Sequence, residues 1–180
     1  MTEPLIPLEI PERLYNVAET EHFQGAYELD QVEAGPDTYA FDGPISWEAQ
    51  ITNTGEALLV SGSAQARAVT SCARCLEDVV LDLQGQIEGS FLIDQDAEDP
   101  DDMAEDEFDV LSEDGVLDME PLIMAALLLE VPLTPLCRED CAGLCSSCGA
   151  NLNQGECGCQ PEEPIPAKNP FAVLADLTFD

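Results

Sequence analysis

Ile45-Ser-Trp-Glu-Ala-Gln-Ile51 places Ile45, Trp47, Ala49 and Ile51 on one side of an extended chain and Ser46, Glu48 and Gln50 on the other. Successive side chains of a strand point to opposite faces of its sheet, so this period of two predicts a strand with one buried and one solvated face. Asn53-Thr54-Gly55 supplies a turn straight after it. Two longer β segments follow, Ala57 to Val69 and Val79 to Ile93; the second sets Val79, Leu81 and Leu83 on one face, with Gly85 and Gly89 as positions that permit bends. Towards the N-terminus, Phe23 to Leu29 reads as a further strand, and Leu5 to Ile10, bracketed by prolines, as an edge strand. Trp47, Tyr15, Tyr27, Tyr39 and the six phenylalanines are scattered along the chain and are expected in the core.

Between the two long segments lies Ser71-Cys-Ala-Arg-Cys-Leu76, at the position of a hairpin connection. A second cysteine-rich stretch, from Cys137 to Cys159, holds the other six of the eight cysteines: Cys137, Cys141, Cys145, Cys148, Cys157 and Cys159. Cysteines paired with two residues between them suit tetrahedral zinc, because a tight turn brings both sulfurs and the following N–H groups onto one ion. Cys145-Ser-Ser-Cys148-Gly149 is the most specific of these signals. Cys157 and Cys159 are placed to fold back and close a site with Cys145 and Cys148, which leaves Cys72 and Cys75 to pair with Cys137 and Cys141. One zinc with spare thiols is the alternative to two. Four thiolates per ion leave no open coordination position, so the ions are expected to be structural.

Disulfides are the competing use of eight cysteines, and they depend on compartment. The N-terminus, Met1-Thr-Glu-Pro-Leu-Ile-Pro-Leu-Glu-Ile10, breaks each apolar run with Pro or Glu and reads as no export signal. The longest apolar run, Leu122 to Leu129, is far shorter than the roughly 18 to 20 residues of a membrane span. A cytoplasmic protein is therefore expected, where clustered cysteines favour metal.

Charge narrows the partners. Against 38 Asp and Glu the chain carries five Lys and Arg, for a formal net charge of -33. Such a surface repels phosphate backbones and suits a basic protein; a high-salt proteome is the alternative reason for acidity. From Asp94 to Asp109 ten of sixteen residues are acidic and none is basic, which predicts a solvated loop. Asp118-Met-Glu-Pro-Leu-Ile-Met-Ala-Ala-Leu-Leu-Leu-Glu130 then predicts one buried helix, with a cap candidate at its start and Pro121 in its first turn. No catalytic triad, phosphate loop or histidine cluster is visible, and the one histidine, His22, stands alone.

The same cysteines carry a resemblance. Cys72-Ala-Arg-Cys-Leu76, then Cys137-x-x-x-Cys141-Ala-Gly-Leu-Cys145-x-x-Cys148-Gly-x-Asn-Leu-Asn153, then Cys157-Gly-Cys159 and the tail Lys168-Asn-Pro-Phe-Ala-Val-Leu-Ala-Asp-Leu177 resemble the YceD family across roughly Ile6 to Leu177. Ser146 stands where many members have proline, and the chain ends in Thr178-Phe-Asp180 where some members are basic. The resemblance implies a non-enzymatic role in accumulation of 23S ribosomal RNA and large-subunit assembly. Joined to the charge, it implies a basic partner such as a large-subunit ribosomal protein or assembly factor, with direct RNA contact left open. A thiol-redox protein or redox-controlled chaperone is the second reading, with Cys72 and Cys75 as the reactive pair and Arg74 lowering a thiolate pKa.

The expected fold class is α+β: an antiparallel β-sheet or partial barrel, a packed helix, and a cysteine-rich zinc-binding C-terminal module. The expected divisions are a β domain with a Cys-x-x-Cys hairpin over 1–93, an acidic mobile loop over 94–117, a buried helix and linker over 118–136, a zinc module over 137–160, and a tail over 161–180 with a short helix at Phe171 to Leu177.

Overall fold

The structure is a computed structural model and describes residues 6–93 and 109–159. In chain order these residues form β1 (Pro7–Glu9), β2 (Thr20–Tyr27), β3 (Gln31–Ala34), β4 (Asp37–Phe41), β5 (Ile45–Asn53), β6 (Ala57–Ser71), β7 (Asp78–Leu92), β8 (Asp109–Val110), β9 (Val116–Asp118) and the helix α1 (Glu120–Leu129). Short 3-10 turns occupy Glu12–Tyr15 and Leu152–Gln154.

The frame is the antiparallel pair of β6 and β7, in register from Ala57 opposite Leu92 to Ser71 opposite Asp78. On its other edge β6 pairs first with β5, from Asn53 opposite Leu58 to Ser46 opposite Gln65, and then with β4 at Ala68 and Val69. β2 flanks β5, β3 flanks β4, and β8 adds a short parallel pair to β7. Among the described residues no ladder joins β2, β3 and β8 to one another, so the sheet is open. β1 and β9 form a separate two-stranded ribbon.

The period of two decides which side is dry. Ile45, Trp47, Ala49 and Ile51 of β5 are buried with Leu58, Val60, Ala64 and Ala68 of β6 and Leu83, Ile87 and Phe91 of β7. α1 closes this face with Ile123, Met124, Ala126 and Leu127, and full burial of each such large apolar side chain is worth about 1.5–3 kcal/mol. The cap residue is Met119, not the expected Asp118, which ends β9; the Asp118 carboxylate still accepts the Glu120 N–H at 3.1 Å and the Ile6 N–H at 3.1 Å, joining α1 to the residue before β1. The buried polar side chains are partnered too, Thr70 donating to the Thr38 carbonyl at 3.0 Å and Asn53 to the Leu14 carbonyl at 2.7 Å.

Several expectations are corrected. Gly85 and Gly89 lie inside one continuous strand, and a Cβ at Gly85 would stand 2.1 Å from the Ala126 carbonyl oxygen, so this glycine serves helix approach. The hairpin of β3 and β4 was not anticipated. The expected loop over 94–117 is wrong at its C-terminal end, where β8 and the start of β9 lie and Leu111 and Leu117 enter the core. Tyr15 is 44% exposed, outside the core expected for it. The remaining acidic stretch, 94–108, and the tail helix expected at Phe171 to Leu177 lie outside the described residues. Among the described residues no helix is long and apolar enough to cross a membrane.

Candidate metal centres

The β6–β7 hairpin delivers Cys72 and Cys75 at its tip. There the Cys72 N–H donates to the Glu77 carbonyl at 2.8 Å, the Leu76 N–H to the Cys72 carbonyl at 2.9 Å, and the Arg74 N–H to the Cys72 sulfur at 3.5 Å. Cys145 and Cys148 sit in a turn with the same backbone bonds: Cys145 N–H to the Ala150 carbonyl at 2.8 Å, and Gly149 N–H to the Cys145 carbonyl at 2.9 Å. Both turns need a left-handed residue after the second cysteine. Gly149 takes it with φ 73° and Leu76 with φ 62°; a side-chain-bearing residue there costs about 1–2 kcal/mol.

Two groups of four sulfurs result. Cys72, Cys75, Cys137 and Cys141 form the first, and Cys145, Cys148, Cys157 and Cys159 the second; within each group the ligand atoms lie within 4.8 Å of one another. In the first, Cys72 Sγ is 3.8 Å from Cys141 Sγ and Cys75 Sγ is 3.6 Å from Cys137 Sγ. Zinc–sulfur bonds of about 2.3 Å in a tetrahedron require sulfur–sulfur edges of about 3.8 Å, whereas a disulfide requires about 2.05 Å. The donor set therefore fits a tetrahedral metal ion. This division of the sulfurs is the one suggested by the spacing.

The two groups differ in setting. Cys72, Cys75 and Cys141 are buried, with Val79, Leu81, Leu136 and Leu144 packed against them, while Cys137 is exposed. In the second group Cys148 and Cys159 are exposed and the other two half-buried.

The electrostatics favour a cation between the sulfurs. Burial pushes the Cys72 thiol up, but N–H groups of Cys137, Arg74 and Cys75 and the Cys75 thiol outweigh it and bring it to about 6. The N–H groups of Cys148 and Ser147, with the Cys157 and Cys148 thiols, likewise bring Cys145 to about 6. The opposite happens at Cys137: although the residue is exposed, its sulfur is partly desolvated against the others, and this, then Cys75, Cys141 and Cys72, pushes it up to about 12, while Cys159 is pushed up to about 12 by Cys148 and Cys157. In the first group Cys141 is lowered as well, by the Asn153 side chain first, and Cys75 is raised, so each group sets thiols that ionise readily against thiols that resist it. A bound cation removes that conflict.

Asn153, quoted in the sequence only as part of a motif, links the two groups. Its Nδ2 donates to Cys141 Sγ at 3.3 Å, and its Oδ1 accepts from Arg138 Nη2 at 2.6 Å and from the Ala142 N–H at 2.8 Å. It therefore stands in the second group's loop and bonds a sulfur of the first. The Leu144 N–H donates to the Arg74 carbonyl at 3.1 Å, a second tie. Arg74 was expected to lower a thiolate pKa; its backbone N–H does so at Cys72, while its guanidinium donates to the Cys141 carbonyl at 3.0 Å. Outside the cysteine groups, a groove of about 840 Å³ on the solvent face of β2, β5, β6 and β7 is lined by His22, Glu48, glutamines and serines, without a cysteine.

Residues 60–178, which include all eight cysteines, match the family described as Large ribosomal RNA subunit accumulation protein YceD. An uncharacterized protein of Mycobacterium leprae is 33% identical over 111 residues, 61% of this chain and 49% of that protein. An uncharacterized protein of Mycobacterium tuberculosis is 35% identical over 108 residues, 60% of this chain and 51% of that protein. An Arabidopsis thaliana protein named Large ribosomal RNA subunit accumulation protein YCED homolog 1, chloroplastic, is 35% identical over 60 residues, 33% of this chain and 19% of that protein. The chain spans about half the length of the mycobacterial relatives it matches. No solved structure matches.

Proposed function

The chain belongs to the YceD family, and from that premise we propose that it is a non-enzymatic, zinc-stapled factor that supports accumulation of 23S ribosomal RNA and assembly of the large ribosomal subunit in the cytoplasm. Cys72, Cys75, Cys137 and Cys141 would hold one zinc, and Cys145, Cys148, Cys157 and Cys159 a second. The observation that carries the metal reading is the pair of sulfur–sulfur edges at 3.8 and 3.6 Å inside the span matched to the family. Zinc held by four thiolates supplies folding energy and has no position left for a substrate. Its work here is to fasten the tip of a hairpin of two fifteen-residue strands to a segment more than sixty residues further along the chain.

Charge directs the partner. With a net charge of -33 the chain is poorly suited to grip RNA phosphates, and well suited to a basic large-subunit ribosomal protein or assembly factor. The effect on ribosomal RNA would then pass through that protein. The test is genetic. Removing the gene from its host is expected to lower 23S relative to 16S ribosomal RNA, with recovery on return of the wild-type chain but not of Cys72→Ser or Cys141→Ser. An unchanged ratio on removal would overturn the reading.

A further inference from the structure

The two cysteine turns share their backbone bonds and left-handed geometry, yet Gly149 fills that position in one and Leu76 in the other. Glycine takes this conformation freely, and leucine does not. The usual compensation for a strained leucine is burial, and Leu76 has little of it: the residue is 65% exposed. Strain kept alongside an apolar side chain held in water points to a use outside the chain.

The surroundings say what kind of use. Glu77 and Asp78, exposed, follow Leu76 directly. Leu133, fully exposed, lies two residues from Pro135, whose carbonyl accepts the Ala73 N–H of the same tip at 2.8 Å. The tip itself is held by the β6–β7 ladder and by the sulfur group beneath it, so an apolar knob there is presented with little conformational freedom left to lose on binding. The Glu77 carboxylate is taken up by Gln154 and Cys75, so the charge that complements a Lys- and Arg-rimmed apolar pocket is Asp78 next in sequence and the net -33 of the whole chain.

We propose that Leu76, at the tip of the β6–β7 hairpin, is the apolar anchor through which the chain docks on a basic protein. The inference rests on the proposed function for its partner class and adds the docking residue. The first cysteine group thereby gains a second task, since it sets the knob in place as well as stapling the fold.

The test uses the full chain loaded with zinc and immobilised. The probe is the set of large-subunit ribosomal proteins extracted from purified ribosomes, with any retained protein identified by mass and its affinity then measured. Leu76→Gly is expected to weaken that affinity by about tenfold or more, while metal content is unchanged and Tm is no lower than wild type. Leu76→Met, which restores an apolar side chain, is expected to bind like wild type. Equal binding by Leu76→Gly would overturn the docking role and leave the proposed function intact. Loss of metal or a lower Tm in Leu76→Gly would also overturn it, because Leu76 would then serve the chain's own packing. If the wild-type chain retains no basic protein, or retains only a second copy of itself or RNA, the docking role falls together with the partner reading.

Discussion

Asn153 shows how much one amide can arrange. It bonds the Cys141 sulfur, the Arg138 guanidinium and the Ala142 N–H together, and its own N–H is held by Asn151 Oδ1 at 2.9 Å. Groups that orient a metal ligand are commonly worth 10–100-fold in metal affinity. Asn153→Ala is therefore expected to weaken zinc at the first group by about tenfold or more, read by competition with a chromophoric chelator. Equal affinity would mean that the amide only shapes the loop. The cysteines were legible from sequence, because two thiols with two residues between them can turn onto one ion. Asn153 was not, because a polar residue in a loop carries no period and its partner Cys141 is twelve positions away.

Elements with one dry face announced themselves, and the others did not. β5, β6 and β7 alternate buried and exposed residues over most of their lengths, so their pattern reads directly from the chain. β3 and β4 have four and five residues, and β4 meets the rest of the sheet at only two positions of β6, which is too short a contact to impose a visible period. β8 has two residues. The role of Gly85 was hidden for a different reason: it depends on a helix more than thirty residues away, where the Ala126 carbonyl occupies the space a Cβ would need. Gly85→Ala is expected to push α1 off the sheet and destabilise the fold by about 1–3 kcal/mol, as overpacking does, measured by urea unfolding. A neutral effect would show that the helix can shift without loss. Ala126→Gly in the same background is expected to recover none of it, since the obstacle is backbone.

At the scale of the whole molecule, charge and the proposed metal centres bear on the same question. A chain with 38 carboxylates and five basic side chains repels itself, and each described ion pair involves Arg13, Arg67 or Arg138 at the surface, where such pairs contribute about 0–1 kcal/mol. Cohesion must come from the core and from the sulfur groups. Binding to a basic partner is expected to weaken steeply between low and high salt, because screening shortens the reach of exposed charge; affinity unchanged across that range would contradict a charge-driven encounter. Metal content per chain, with a count of reactive thiols, on protein purified under reducing conditions without chelator separates a stapled scaffold from a thiol switch. Two zinc ions per chain and almost no reactive thiols are expected. Protein without metal, whose thiols cycle readily between reduced and disulfide forms, would contradict the stapled scaffold.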